Sequence, residues 1–379
     1  MIPHITLGRV FGITIGLHVS WFFIALLITL SLAAHFSETN PTWASSTVWL
    51  SAIATGFLFF LAIVVHELAH ALVARVRGVP IRSITLFALG GVANMDKDVG
   101  DAKTEFWMGI AGPIMSIAVG GLCLGIVWAL GGFEAGSELT PHTPPMAVFA
   151  WLGYINLMLA AFNMIPAFPL DGGRVLRAAL WGFQGDKRRA TWIAVRTSQI
   201  IAVLFIVVGF VGFFSGGSFG GLWIAIIGWF LFGAAEASLL QMEMVTALQG
   251  LRVRDVMAQD CVRVSPDVSL QTLADDYVLR TGQRCFLVAD DGRIKGLVAA
   301  GDLKSVERER WPTTHVDAVM RPLEQVKRVK PETSLAEALE MMARDDLNQL
   351  PVMSNGHLEG ILTRSHILRV LESRAELGM

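Results

Sequence analysis

His66-Glu67-Leu68-Ala69-His70 places two imidazoles and a carboxylate within about one turn of an otherwise apolar run. On a helix, residues four apart project from the same face, so both rings can reach one zinc ion about 2.0–2.1 Å away. Glu67 follows the first histidine, where a general base can take a proton from an attacking water and deliver it to a leaving amine. The chemistry such a set supports is metal-assisted hydrolysis of a peptide bond. In a soluble chain the same five residues are often an accident of a charged helix face. Here no charged residue occurs between Leu50 and Val65. Ionisable groups in a membrane helix are costly unless they face a cavity or a metal.

A catalytic zinc site usually keeps three protein ligands and one open position. The third candidate is Asp171, in Asn163-Met164-Ile165-Pro166-Ala167-Phe168-Pro169-Leu170-Asp171-Gly172-Gly173-Arg174, where prolines and glycines interrupt an apolar helix beside a lone carboxylate. Alone, Asp-Gly-Gly is an ordinary turn. With the paired histidines, coordination explains it better. Asn163 is a candidate donor to the scissile carbonyl as it becomes an oxyanion, the alternative being a helix-terminal or interhelical hydrogen bond.

These residues need elements to position them. The chain has 379 residues, 53% hydrophobic and 16% charged, with a formal net charge of −2. That composition predicts a membrane domain and excludes a nucleic-acid partner as the main business. Six runs are long enough to cross a bilayer, near 19–36, 50–74, 106–130, 145–165, 191–214 and 220–243. The first is read as a retained span rather than a cleaved signal peptide. Arg75, Arg77 and Arg82 follow the second span and Lys187, Arg188 and Arg189 precede the fifth. The loops around Glu38, around Glu134 and Glu138, and over 215–221 lack Lys and Arg. This bias places both termini in the cytoplasm of a multi-pass protein of the plasma membrane. Gly8 to Gly16, and the stretch from Ile81 to Met95 with Gly90-Gly91, are glycine-punctuated and too short to span; they predict short β elements at the membrane. Cys123, Cys261 and Cys285 suggest no disulfide framework or thiolate metal site.

At this point the chain resembles the site-2 protease family of intramembrane metalloproteases. The family pattern of a helical His-Glu-x-x-His, then Asn-x-x-Pro-x-x-Pro-x-Asp-Gly, is met by His66, Glu67 and His70, then Asn163, Pro166, Pro169, Asp171 and Gly172. The resemblance implies His66, His70 and Asp171 as ligands of one Zn2+, Glu67 as catalytic base and Asn163 as a helper at the substrate carbonyl. It implies that the Gly90-Gly91 segment pairs with an unwound substrate strand. Ala111-Gly112-Pro113 is similar to another family feature. The implied substrates are membrane-anchored proteins such as transcription regulators, cut in or near their transmembrane segments. The branch without a PDZ domain fits, since no soluble insertion separates the spans.

From Val245 onward charged residues recur, and an internal repeat appears. Val253-Arg254-Asp255-Val256-Met257 is echoed by Val316-Asp317-Ala318-Val319-Met320. Each copy continues with Ser-Leu and an amphipathic helix, a strand, a turn at Asp291-Gly292 or Asn355-Gly356, Gly-apolar-apolar and a final helix. This resembles a tandem pair of cystathionine-β-synthase (CBS) domains, which implies a ligand such as ATP or AMP. The family's Gly-x-x-Ser/Thr-x-x-Asp is split between the copies: the first keeps the acid as Asp302, the second the hydroxyl as Thr363. One composite nucleotide site, or a structural or homo-oligomerising role without nucleotide, both follow. The expected architecture is a polytopic α-helical membrane protein of about six transmembrane helices with short membrane-associated β elements, plus a cytoplasmic α/β CBS module. Its domains are 1–244 for the protease and 245–313 and 314–379 for the CBS domains. The rival from another class is a CBS-regulated transporter or channel. Such a protein would line its path with polar groups, whereas here they concentrate on the histidine and aspartate motifs.

Overall fold

The sequence organises itself around one amphipathic contradiction, long apolar helices carrying a few buried polar groups, and the computed structural model shows how it is resolved. It describes residues 4–87, 90–95, 99–132, 143–216, 219–248, 250–258, 262–282, 285–290, 293–345, 347–354 and 357–376. Cys261, the turns at Asp291-Gly292 and Asn355-Gly356, and the loop with Glu134 and Glu138 lie outside them. The chain divides into two compact units, Met1–Leu240 and Gln241–Met379.

The first unit opens with an antiparallel hairpin, β1 (His4–Val10) and β2 (Ile13–His18), followed by α1 (Val19–Thr39) and α2 (Ser45–Val76). A second hairpin, β3 (Ile81–Phe87) and β4 (Gly90–Met95), precedes α3 (Ala102–Ala129), α4 (Pro144–Asn163), α5 (Asp171–Gln184), α6 (Lys187–Gly216) and α7 (Phe219–Leu248). The hairpins join through parallel pairing of β2 with β3, giving the order β1-β2-β3-β4 with β4 at an edge. Among the described residues, six helices are long and apolar enough to cross a membrane, over Val19–Thr39, Ser45–Val76, Ala102–Ala129, Pro144–Asn163, Lys187–Gly216 and Gly220–Leu240. Their outward faces are as apolar as their cores: Leu50, Phe57, Leu122, Ile200 and Trp229 are 66–74% exposed. Surfaces of that kind belong in lipid rather than water. The helix α5 is amphipathic and is not among the spans.

Local signals explain the helix starts. The Asp101 carboxylate caps α3 by accepting from the Thr104 N–H at 2.8 Å, satisfying one of the orphan donors of the first turn. Hydrogen bonds from Thr104 hold the Asp101 carboxyl below the ordinary aspartate range. The helix α4 begins on Pro144 and Pro145, where the missing N–H costs nothing. Its last residue is Asn163.

The second unit contains two α/β repeats that complete each other. In the first, β5 (Arg263–Val264), the short α8 (Leu270–Thr272) continued by a π turn over Leu273–Leu279, β6 (Cys285–Asp290) and β7 (Arg293–Ala299) surround Phe286, Val288 and Val298. In the second, α9 (Leu335–Arg344), β9 (Gln349–Ser354), β10 (His357–Thr363) and α10 (Arg364–Glu376) surround Leu350, Val352 and Leu362. The leading turn of each copy packs into the core of the other: Val316 lies with the first core and Val253 with the second. The strand β8 (Arg321–Pro322) likewise pairs with β7, while Ala258 bridges Ile361. One expectation is corrected. The first repeat ends in 3-10 turns over Asp302–Ser305 and Arg308–Arg310, not in a helix like α10. Val306 between them is extended, and Pro312 follows before the second repeat, where its missing N–H and fixed φ disfavour continuing a helix.

Candidate metal centre

Three helices build the site. The helix α2 carries His66 and His70 one turn apart, and their rings meet edge to face at 4.9 Å between centroids. The first residue of α5 is Asp171. Its Oδ2 lies 3.2 Å from His66 Nε2 and 3.2 Å from His70 Nε2, and the two Nε2 atoms are 3.2 Å apart. The three side chains are 5%, 9% and 12% exposed, so bulk water does not solvate them.

The other ring nitrogens are taken by α3. His70 Nδ1 lies 2.5 Å from the Met108 carbonyl oxygen and His66 Nδ1 lies 2.8 Å from Ser116 Oγ. A carbonyl only accepts, so neutral His70 carries its proton on Nδ1 and presents the Nε2 lone pair to the cluster. This is the support that metal-bound histidines ordinarily receive.

The residues fit a zinc ion on two independent counts. Three acceptor atoms turned toward one another at 3.2 Å repel unless a cation or proton lies among them, and tetrahedral ligands of zinc stand about 3.3–3.4 Å apart. The space is also kept clear. A Cβ added at Gly112 of α3 would sit 2.2 Å from His70 Nε2 and 2.5 Å from His66 Nε2. Only a residue without a side chain leaves that volume to a ligand. His66, His70 and Asp171 are the one metal-competent cluster found among the described residues.

Glu67 projects beside the cluster toward the edge strand, its Oε1 accepting from the Gly91 N–H at 3.2 Å. A Cβ at Gly91 would lie 2.6 Å from Glu67 Cδ, so backbone and carboxylate meet closely there. Asn163 is half-buried at the end of α4, eight residues before Asp171. Phe168 N–H donates to the buried Ser198 Oγ at 2.7 Å, tying the intervening turn to α6.

The profile of peptidase family M50 matches residues 52–208, and that of the CBS domain matches 253–309 and 316–373. The zinc metalloprotease MJ0392 of Methanocaldococcus jannaschii is 30% identical over 377 residues, 98% of each chain. Rip3 of Mycobacterium tuberculosis is 33% identical over 372 residues, covering 97% of this chain and 93% of its own. The chain belongs to peptidase family M50, the site-2 proteases. This M50 protein is a multi-pass membrane zinc metalloendopeptidase with a tandem CBS pair, and family membership replaces the transporter or channel reading. A solved site-2 protease from Methanocaldococcus jannaschii is 29% identical, covering 62% of this chain and 95% of that one with a TM-score of 0.41.

In the CBS unit, Asp302 and Thr363 line one cavity of about 1190 Å³ with Lys304, Arg321, Arg364 and Arg369. Asp302 accepts from Arg321 Nη2 at 2.7 Å and from Ala299 N–H at 2.8 Å. Thr363 Oγ1 lies 2.8 Å from Ser365 Oγ and accepts from His366 N–H at 3.3 Å. Burial, then the nearby Arg369 cation, push His366 below the ordinary histidine range. Sequence reasoning missed Met108, Ser116 and the steric role of Gly112. The available signal was a stripe of small and polar residues at helical spacing along an apolar helix.

Proposed function

We propose that this M50 protease cleaves membrane-anchored proteins, transcription regulators among them, in or near their transmembrane segments, from the cytoplasmic side of the plasma membrane. The observation that supports it most is the convergence of His66, His70 and Asp171 beside a carboxylate turned to a strand edge. These three side chains would hold the zinc. Bound there, zinc supplies a Lewis acid that polarises a carbonyl and lowers the pKa of water. Glu67 takes the proton of the attacking water and hands it to the leaving amine. Asn163 donates to the carbonyl oxygen as negative charge develops on it. The edge of β4 at Gly90 and Gly91 accepts an unwound substrate segment as an added strand, which satisfies backbone groups that lipid would leave unpaired.

The CBS pair regulates substrate access. Among the described residues its cleft carries four cationic side chains against one acid, Asp302, and suits an adenine nucleotide such as ATP or AMP at a single composite site with Asp302 and Thr363. Self-association of the chain through this pair belongs to the same proposal.

Glu67→Gln tests the catalytic assignment, because it removes the base and leaves all three donors. Cleavage of a co-expressed membrane-anchored substrate should fall about 10²–10⁴-fold with zinc content unchanged. Equal cleavage by the variant and the wild type would rule out the mechanism.

A further inference from the structure

Glu105 is completely buried in the first turns of a membrane helix, and none of the chemistry above uses it. Its surroundings give it a role. The helix α3 offers no metal donor, yet one face of it, running through Glu105, Met108, Gly109, Gly112 and Ser116, touches the supports of all three. Met108 and Ser116 hold the two imidazoles, and Gly112 keeps the space between them open. At Gly109 an added Cβ would meet Val175 Cγ2 at 2.9 Å and the Asp171 carbonyl at 3.5 Å, so α5 is pressed against α3 there. Glu105 ends this stripe. Its Oε1 accepts from both Nε of Arg177, at 2.7 Å, and Nη2 of the same guanidinium.

Arg177 lies six residues after Asp171, about 9 Å along the helix at 1.5 Å per residue. Its guanidinium also sits over the Phe168 ring, 5.4 Å from the centroid, and so joins α3, α5 and the turn before Asp171. One contact at Gly109 fixes how closely α5 approaches. A second, at a distance along the axis, fixes its rotation, and a slip of one residue turns a helix by about 100°. Such a turn would carry the carboxylate away from the histidines. The Glu105 Oε2 atom has no hydrogen-bond partner among the described residues. A buried, half-satisfied ion pair is a poor way to gain stability, and register is the better-attested use of one.

We propose that Glu105 is a positioning residue whose ion pair with Arg177 sets the register of α5 on α3 and thereby holds Asp171 on the two histidines. This role rests on reading His66, His70 and Asp171 as the zinc site.

The test uses the full-length protein in detergent, as wild type, Glu105→Gln and Arg177→Lys, the last keeping the cation but losing the two-pronged donor. Zinc affinity is measured by competition with a chelator, ligand geometry by the visible spectrum of the cobalt-substituted protein, and folding by the thermal midpoint. Both variants should bind zinc about 10–100-fold more weakly and show an altered cobalt spectrum. Excess zinc should restore cleavage without restoring the wild-type midpoint. Wild-type affinity and spectrum in both variants, whatever happens to their midpoints, overturn the proposal. If Glu105→Gln does not fold, the same result in Arg177→Lys alone overturns it. A wild type that binds no zinc contradicts the reading of the site itself.

Discussion

One hydrogen atom in place of a methyl group at residue 112 separates a metal centre from a packed helix contact. Alanine is a better helix former than glycine by about 1 kcal/mol, so Gly112→Ala has no local reason to unfold α3. Its methyl would nevertheless occupy the point 2.2 Å from His70 Nε2 and 2.5 Å from His66 Nε2. We expect Gly112→Ala to lose zinc and about 10²-fold or more of its cleavage rate, because both imidazoles must shift to admit the methyl. Gly91→Ala is the contrasting case, since the three atoms nearest its methyl would all belong to Glu67. It should keep zinc and lose kcat. Metal analysis beside cleavage assays separates the two. The histidines and Glu67 were legible because four-residue spacing on a helix is a local fact. Ser116 was not, because its partner lies 50 residues away, and a serine in an apolar helix more often bonds its own preceding turn. Asp171 is 105 residues from His66 and became a candidate through a lone carboxylate at a broken apolar helix taken together with the paired histidines.

Elements follow from sequence where one periodicity dominates. The spans were readable by length, both β hairpins by glycine punctuation, and the CBS repeats by their echo. Parallel pairing of β2 with β3 was not, because α1 and α2 intervene and a parallel register is set by whatever packs around it. The first repeat shows the opposite failure, in which the echo of the second repeat suggested a final helix where the chain forms two 3-10 turns separated by the extended Val306. Helix starts carry the clearest local physics. The Asp101 cap stabilises α3 as a charged acceptor, and its pKa is depressed by the bonds from Thr104. A group depressed in the folded state contributes stability above its unfolded pKa and loses it as pH falls through the folded value. Asp101→Ala should therefore cost about 1 kcal/mol at pH 7. The gap between wild type and variant should narrow below about pH 4, as measured by thermal midpoints across that range. A gap that is constant down to pH 3 would mean that the carboxylate does not cap α3.

At the scale of the whole molecule, the change in composition near Val245 announced two parts, and the chain divides at Leu240. The mutual arrangement of the spans was hidden for a physical reason. In lipid the outer face of a helix is as apolar as the inner one, so amphipathic periodicity no longer says which side packs. Buried small and polar residues such as Gly112 and Ser116 carry that information instead. The division also makes a separable claim about function. Every donor, the supports from Met108 and Ser116, and the strand edge at Gly91 lie within Met1–Leu240, whereas every residue lining the cationic cleft lies within Gln241–Met379. A chain ending after Leu248 should therefore keep one zinc per molecule and a cleavage activity abolished by Glu67→Gln. Full-length protein should change its cleavage rate when ATP is added at millimolar concentration, and the shortened chain should not. Loss of zinc on truncation would mean that the CBS pair maintains the metal site, and an equal ATP response in both would place the nucleotide's action outside the cleft.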